Sequence, residues 1–115
     1  MMGVGDHKAR QSAKIRQIGE ALIADGYRGL DEKAKVLGLS RSTTWTILKV
    51  AHKTSGLSVA IINRMLTCPR LPPRVRLILF EYIEEKRAGL YGDPKQVVRR
   101  YAAHLEERLS DRGVG

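Results

Sequence analysis

The side chains able to do chemistry in this chain are few, and their spacing limits which chemistry that is. His7, His52 and His104 stand far apart, and Cys68 is the lone cysteine. Neither an internal disulfide nor a cysteine metal cage is therefore expected. No H-E-x-x-H pair, nucleophile elbow or phosphate-cradling glycine loop is present. The carboxylates Glu84, Glu85, Glu106 and Glu107 fall among basic neighbours such as Lys86 and Arg87, as on ordinary charged helix surfaces. The chain is expected not to be an enzyme and to need no cofactor or metal. Its polar donors concentrate elsewhere. Ser40, Arg41, Ser42, Thr43, Trp45, Thr46 and Lys49 lie within residues 40–49, with Lys33 and Lys35 just before and Lys53 just after. Hydroxyl, guanidinium and ammonium groups in such density suit the holding of anionic oxygens.

The charge distribution points the same way. The formal net charge is +9 and the sequence pI about 10.1. Between Glu32 and Glu81 there is no acidic residue, and that interval holds nine basic side chains: Lys33, Lys35, Arg41, Lys49, Lys53, Arg64, Arg70, Arg74 and Arg76. The other 12 basic residues (21 minus 9) cancel the 12 acidic ones, so the net charge resides in residues 33–80. A solvated basic face is one reading. A surface for a polyanion is the other, because nearby carboxylates would repel it, and a phosphate backbone is the usual polyanion. A basic helix with a bulky apolar opposite face, the mark of a membrane-surface helix, is not seen.

Composition and length set the frame. At 115 residues, with 43% hydrophobic and 29% charged residues, the chain is expected to form one globular domain. Aromatics at 5% argue against a platform for stacking single-stranded bases. No apolar run reaches the ~20 residues that span a bilayer. Met1 to Arg10 lacks a secretory apolar core, and a free thiol fits a reducing compartment. A cytoplasmic location without membrane association is the expectation.

The elements that must position these residues read as helices throughout, with no strand-period segment and no internal repeat. Residues 1–6 read as a frayed tail. Helix 1 is expected from His7 to Asp25, with Ile15, Ile18, Gly19, Leu22 and Ile23 in one stripe and Gly26 as its stop. Helix 2 is expected to be capped by Asp31, to bury Leu30, Ala34 and Leu37, and to end at Gly38. Helix 3 is capped by Ser40 and buries Thr44, Ile47, Leu48 and Ala51, with a polar loop over 52–56. Helix 4 starts at Ser58, buries Val59, Ile62, Met65 and Leu66, and closes at Pro69. Helix 5 opens at Pro72-Pro73 with a stripe of Val75, Ile78, Leu79, Tyr82 and Ile83 that Leu77 and Phe80 widen. Helix 6 starts at Asp93 in a capping box with Gln96 and buries Val98, Tyr101, Ala102, Leu105 and Leu109. The fold class is all-α: a compact bundle of five to six short helices plus the C-terminal helix.

Residues 30–49, L-D-E-K-A-K-V-L-G-L-S-R-S-T-T-W-T-I-L-K, join two short helices through a tight turn. Ala34 permits close crossing, Gly38 supplies the positive φ of the turn, Leu39 fills the angle, Ser40 caps, and Ile47 anchors the second helix. The stretch resembles the helix-turn-helix of bacterial and phage repressors, the lambda-repressor and lac-repressor type. The match lies in the alanine, the glycine four residues later, the leucine and serine after it, and the isoleucine nine beyond the glycine. Lys33 departs from the pattern by standing at a position usually buried and apolar, and Thr44 by standing where Val or Ile is usual. A plain helical hairpin is the alternative. Helix 4 as the reading helix, with Gly56 at the turn, is a second one, which His52 fits badly in the small-residue position.

The resemblance implies sequence-specific binding of double-stranded DNA by a small bacterial or phage transcriptional regulator that occupies an operator. The second helix would lie in the major groove. Arg41 would fork onto guanine, and Ser42, Thr46 and Lys49 would share its outer face. Ser40, Thr43, Lys53, Lys35 and Lys33 would hold phosphates. Trp45 would either flank the DNA or pack sideways onto helix 4 or the C-terminal part. The DNA-binding domain would span residues 7–91. Residues 92–110 would form a C-terminal helix, either folded back or pairing with a second copy in a homodimer that reads two half-sites; pairing is the expectation. A small-molecule ligand domain is not expected. An antitoxin-type protein-interaction adaptor and a non-specific nucleoid-type nucleic-acid binder are the alternative functions.

Overall fold

The computed structural model describes residues 4–50 and 56–114. Among these there is no strand, and six α-helices form the fold: α1 (Val4–Ala24), α2 (Leu30–Leu37), α3 (Arg41–Trp45), α4 (Val59–Leu66), α5 (Pro73–Arg87) and α6 (Lys95–Val114). After Trp45 the chain stays helical but widens into a π-type turn over Thr46–Val50, where a single α-helix is expected from the sequence. Such wider turns often sit at functional sites.

Ile18 and Leu22 of α1, Leu37 of α2, Ile47 of the π turn, Ile62 and Met65 of α4, and Val75, Leu79 and Tyr82 of α5 meet in one core. The apolar spacings predict most of it. In α1 the buried line runs through Gln11, Ile15, Ile18 and Leu22, whereas Ile23 is half exposed rather than inside. α1 starts at Val4 rather than His7, so Val4–Asp6 are helical rather than a tail.

Capping differs from expectation at two helices. α2 is entered through Gly29 in extended conformation (φ −84°, ψ 153°), with no side-chain cap. Asp31 therefore sits inside the first turn and its carboxylate is free for another partner. α6 starts at Lys95, and the Val98 N–H bonds to the Pro94 carbonyl at 3.0 Å. Asp93 does not cap it, because its carboxylate is engaged by Lys8 at 3.5 Å and Lys86 at 3.3 Å. The caps at Ser40 and Ser58 are as expected: their hydroxyls accept from the N–H of Thr43 at 3.1 Å and of Ile61 at 3.2 Å.

On α5, Val75, Ile78, Leu79, Tyr82 and Ile83 are buried, but Leu77 (59% exposed) and Phe80 (46%) face outward. A stripe that wide exceeds what one helix can bury when its opposite face meets solvent. α6 packs across α4 and α5 of its own chain, burying Leu105 and half-burying Val98, Tyr101 and Ala102. The homodimer expectation rested on the few base pairs that one recognition helix can read as well as on this stripe, of which α4 and α5 of the same chain bury Leu105 and half-bury Val98, Tyr101 and Ala102. The side chain of Leu109 lies outside the described residues, as do Ala51, His52 and the rest of the polar loop up to Ser55.

Candidate nucleic-acid interface

α2 and α3 meet through Gly38, Leu39 and Ser40. Gly38 has φ +72°, and the Leu39 N–H bonds to the Ala34 carbonyl at 3.1 Å while that of Gly38 bonds to Lys35 at 3.3 Å. This paired bonding ends α2 and reverses the chain. The turn also presses on the end of α4: a Cβ at Gly38 would lie 2.8 Å from the Cys68 Cβ and 3.3 Å from the Arg64 carbonyl. Leu39 is buried beneath the angle.

The inner face of α3 is anchored. Thr44 is fully buried, and its hydroxyl donates to the Ser40 carbonyl at 2.8 Å. That bond satisfies the polar atom and lets threonine stand at an interior position. Ile47 is buried in the core, and Leu48 is half-buried against it. With this face fixed, Arg41, Ser42, Trp45, Thr46 and Lys49 are all exposed. Arg41, Ser42, Trp45 and Thr46 share one open groove with Ser40 and with Leu30 of α2. Trp45 is 48% exposed and lines that groove.

The remaining expected site residues divide. The Ser40 hydroxyl also donates to Thr43 Oγ1 at 2.8 Å, so both hydroxyls are tied into the cap. Lys35 is exposed and lines a neighbouring groove with Tyr27, Glu32, Val36 and Arg70. Lys33 is 8% exposed and is counted with the buried residues. It is therefore not part of the exposed set, because the α2 face it occupies packs inward beside Ala34, Val36 and Leu37. Lys53 lies outside the described residues. Arg16 of α1, not singled out by the motif, lines a cleft with Lys49.

The ionic partners separate by region. Arg10 and Lys14 of α1 pair with Glu81 and Glu85 of α5, Lys8 and Lys86 pair with Asp93, and Arg87 pairs with Glu106. In the acid-free interval, Lys35, Lys49, Arg64, Arg70 and Arg74 are exposed and have no ion pair among the described residues. Arg41 is the exception, with its Nε 3.4 Å from the Asp31 carboxylate. Among the described residues no group of three or more metal-ligating side chains is close enough to hold an ion. The exposed face of α3 and the π turn thus combines a guanidinium, hydroxyls, an indole and the Lys49 ammonium. Those groups can donate to anionic oxygens and to base-edge acceptors.

The helix-4 alternative is poorer in such groups. α4 buries Val59, Ile62, Met65 and Leu66 and leaves Arg64 as its single exposed cation. Comparison with protein-family models, with curated proteins and with solved structures finds no match to this chain. No helix among the described residues is long and apolar enough to cross a membrane.

Proposed function

We propose that this chain binds double-stranded DNA in a sequence-dependent way and serves as a small transcriptional regulator that occupies an operator. In this reading α3 and the π turn enter the major groove. One observation carries it: Arg41, Ser42, Trp45, Thr46 and Lys49 stand exposed on a helix whose other face is anchored by Thr44 and Ile47. Exposed Lys35, Arg64, Arg70 and Arg74, without an ion pair among the described residues, would supply phosphate attraction. The helix-to-helix geometry through Gly38 supports the resemblance to repressor-type helix-turn-helix proteins.

The test is selection of duplexes from a random pool, followed by titration at several salt concentrations. If ~5 phosphates are neutralised, the log–log salt slope is about −4 or steeper. Enrichment of a defined motif together with that slope supports the reading. Salt-dependent binding without enrichment supports the non-specific alternative, and absence of binding at low salt removes both.

A second reading rests on Leu77 and Phe80, which stand exposed three residues apart on α5. An adaptor that docks a protein partner would use such a patch. Leu77→Ser with Phe80→Ser would abolish partner capture in that case and leave DNA affinity unchanged.

A further inference from the structure

Resting on the reading of α3 as the DNA-reading helix, we infer that Asp31 is a positioning residue for Arg41 and makes the site prefer guanine. The Asp31 carboxylate lies 3.4 Å from Arg41 Nε, which joins the first turn of α2 to the first turn of α3. Asp31 is available for this because Gly29 enters α2 and leaves the carboxylate without a capping task. Leu30, its neighbour, lines the same groove as Arg41, Ser42, Trp45 and Thr46.

The side of the guanidinium that is held matters. Arginine presents two edges, one through Nε and one end-on through Nη1 and Nη2. A carboxylate on the Nε side leaves the end-on edge free, and that edge donates the paired hydrogen bonds that guanine O6 and N7 accept in the major groove. Both side chains are mostly exposed, at 69% and 71%. A surface pair of that kind contributes little to folding. Its consequence is orientation: a long side chain held in one direction loses less freedom when it meets a base.

Asp31 also carries the sign that phosphate repels, next to the groove that Arg41, Ser42, Trp45 and Thr46 line. Its two effects on DNA are therefore opposed. It lowers general attraction to the polyanion and raises discrimination at the base that Arg41 meets. No merely structural or merely electrostatic role gives that combination.

The experiment uses the full chain, the best duplex selected by the unaltered protein, single-base variants of it, and an unrelated duplex. Asp31→Asn is expected to lower the guanine preference at the Arg41-dependent position by ~3–10-fold, within the discrimination of one bidentate contact. Affinity for the unrelated duplex is expected to stay equal or rise. Asp31→Glu restores most of the preference. Arg41→Lys, which keeps the charge and loses the fork, behaves as Asp31→Asn at that base. In an Arg41→Ala background, Asp31→Asn changes no preference. Asp31→Asn with the preference intact overturns the inference, as does a loss at a position that Arg41→Ala leaves alone. A selected duplex without guanine at the Arg41-dependent position overturns it too. A protein that selects no duplex at all fails at the unaltered-protein arm, which distinguishes failure of the DNA reading from failure of the role given to Asp31. Equal melting temperatures of the Asp31 variants exclude a folding defect.

Discussion

The Tyr82 hydroxyl accepts a hydrogen bond from the Leu57 N–H at 2.8 Å and donates one to Gln11 Oε1 at 3.1 Å. Tyr82 and Gln11 are fully buried, so α1 and α5 jointly fix the backbone where the chain enters α4. Burial pushes the Tyr82 phenol well above its ordinary range, although the Leu57 bond opposes this, and the hydroxyl stays protonated. Tyr82→Phe leaves the Leu57 N–H buried without its partner. A loss of about 1–3 kcal/mol in urea unfolding is expected.

Gly56 closes the same junction. Its φ is +64°, and a Cβ there would run into the Tyr82 hydroxyl and the Gln11 carboxamide. Gly56→Ala combines backbone strain with displacement of the hydrogen-bonded pair. It should destabilise at least as much as Tyr82→Phe, and the two changes together should cost less than their sum. A double-mutant cycle by denaturant unfolding checks this.

Lys86 gives a third prediction. It is buried, with Nζ 3.3 Å from Asp93 Oδ2, 3.4 Å from Gln11 Oε1 and 5.3 Å from the centre of the Tyr101 ring. Truncation after Tyr91 removes Asp93, Tyr101 and Leu105 together. The sequence alone suggests that the remainder would stay folded as a complete headpiece. The structure predicts instead a marked loss of stability, because Lys86 loses its carboxylate and the α6-facing sides of α4 and α5 are uncovered. Asp93→Asn alone is expected to cost about 3 kcal/mol, the scale for removing one partner of a buried ion pair. Thermal melts of both variants decide it.

Acid should weaken the seam between α1 and α5. Burial alone would raise the Glu85 carboxyl, but hydrogen bonds from Arg10, Lys14 and Tyr91 outweigh it and hold the group below its ordinary 4.5. A carboxylate lowered in the folded state stabilises above its unfolded value and loses that contribution as pH falls through the folded one. Stability should therefore decline below about pH 4.5 and be restored on return to neutrality. Lys14 is the mirror case. Burial lowers it, but the bonds to Glu81 and Glu85 prevail and raise it above 10.5, so its contribution disappears only above that pH. Glu85→Gln should flatten the acid limb of a stability-against-pH curve.

Arg41 and Lys35 should separate base reading from charge. Arg41→Ala is expected to cost about 1–3 kcal/mol on the selected duplex and to relax one base position. Lys35→Ala should weaken all duplexes alike and make the salt slope shallower by about 1. Competition binding against single-base variants reads both.

The helical fold, most buried positions and the exposed face of α3 follow from local rules alone. Apolar residues three and four apart must share a helix face, so Ile15, Ile18, Leu22, Ile62, Met65, Val75 and Leu79 were legible as core. The same rule places Thr44 and Ile47 inward and Arg41, Ser42 and Thr46 outward. Ser40 and Ser58 cap because the first-turn N–H groups need an acceptor within a few residues.

What remained depends on contacts between segments far apart in sequence, and spacing does not encode those. Asp31 and Asp93 have the residue type of a helix cap, yet the structure gives their carboxylates to Arg41 and to Lys8 and Lys86. Periodicity gives a helix's apolar width but not how much of it a neighbour covers, which is why Leu77, Phe80 and Ile23 are exposed. Trp45 could have packed or stood open, and only the structure sets it in the groove with Arg41. The stripe of α6 had to be covered, and the sequence could not say by which chain. The fold sets α4 and α5 of the same chain against α6, with Leu105 buried there and Lys86 beside Asp93, because such contacts join segments far apart in sequence.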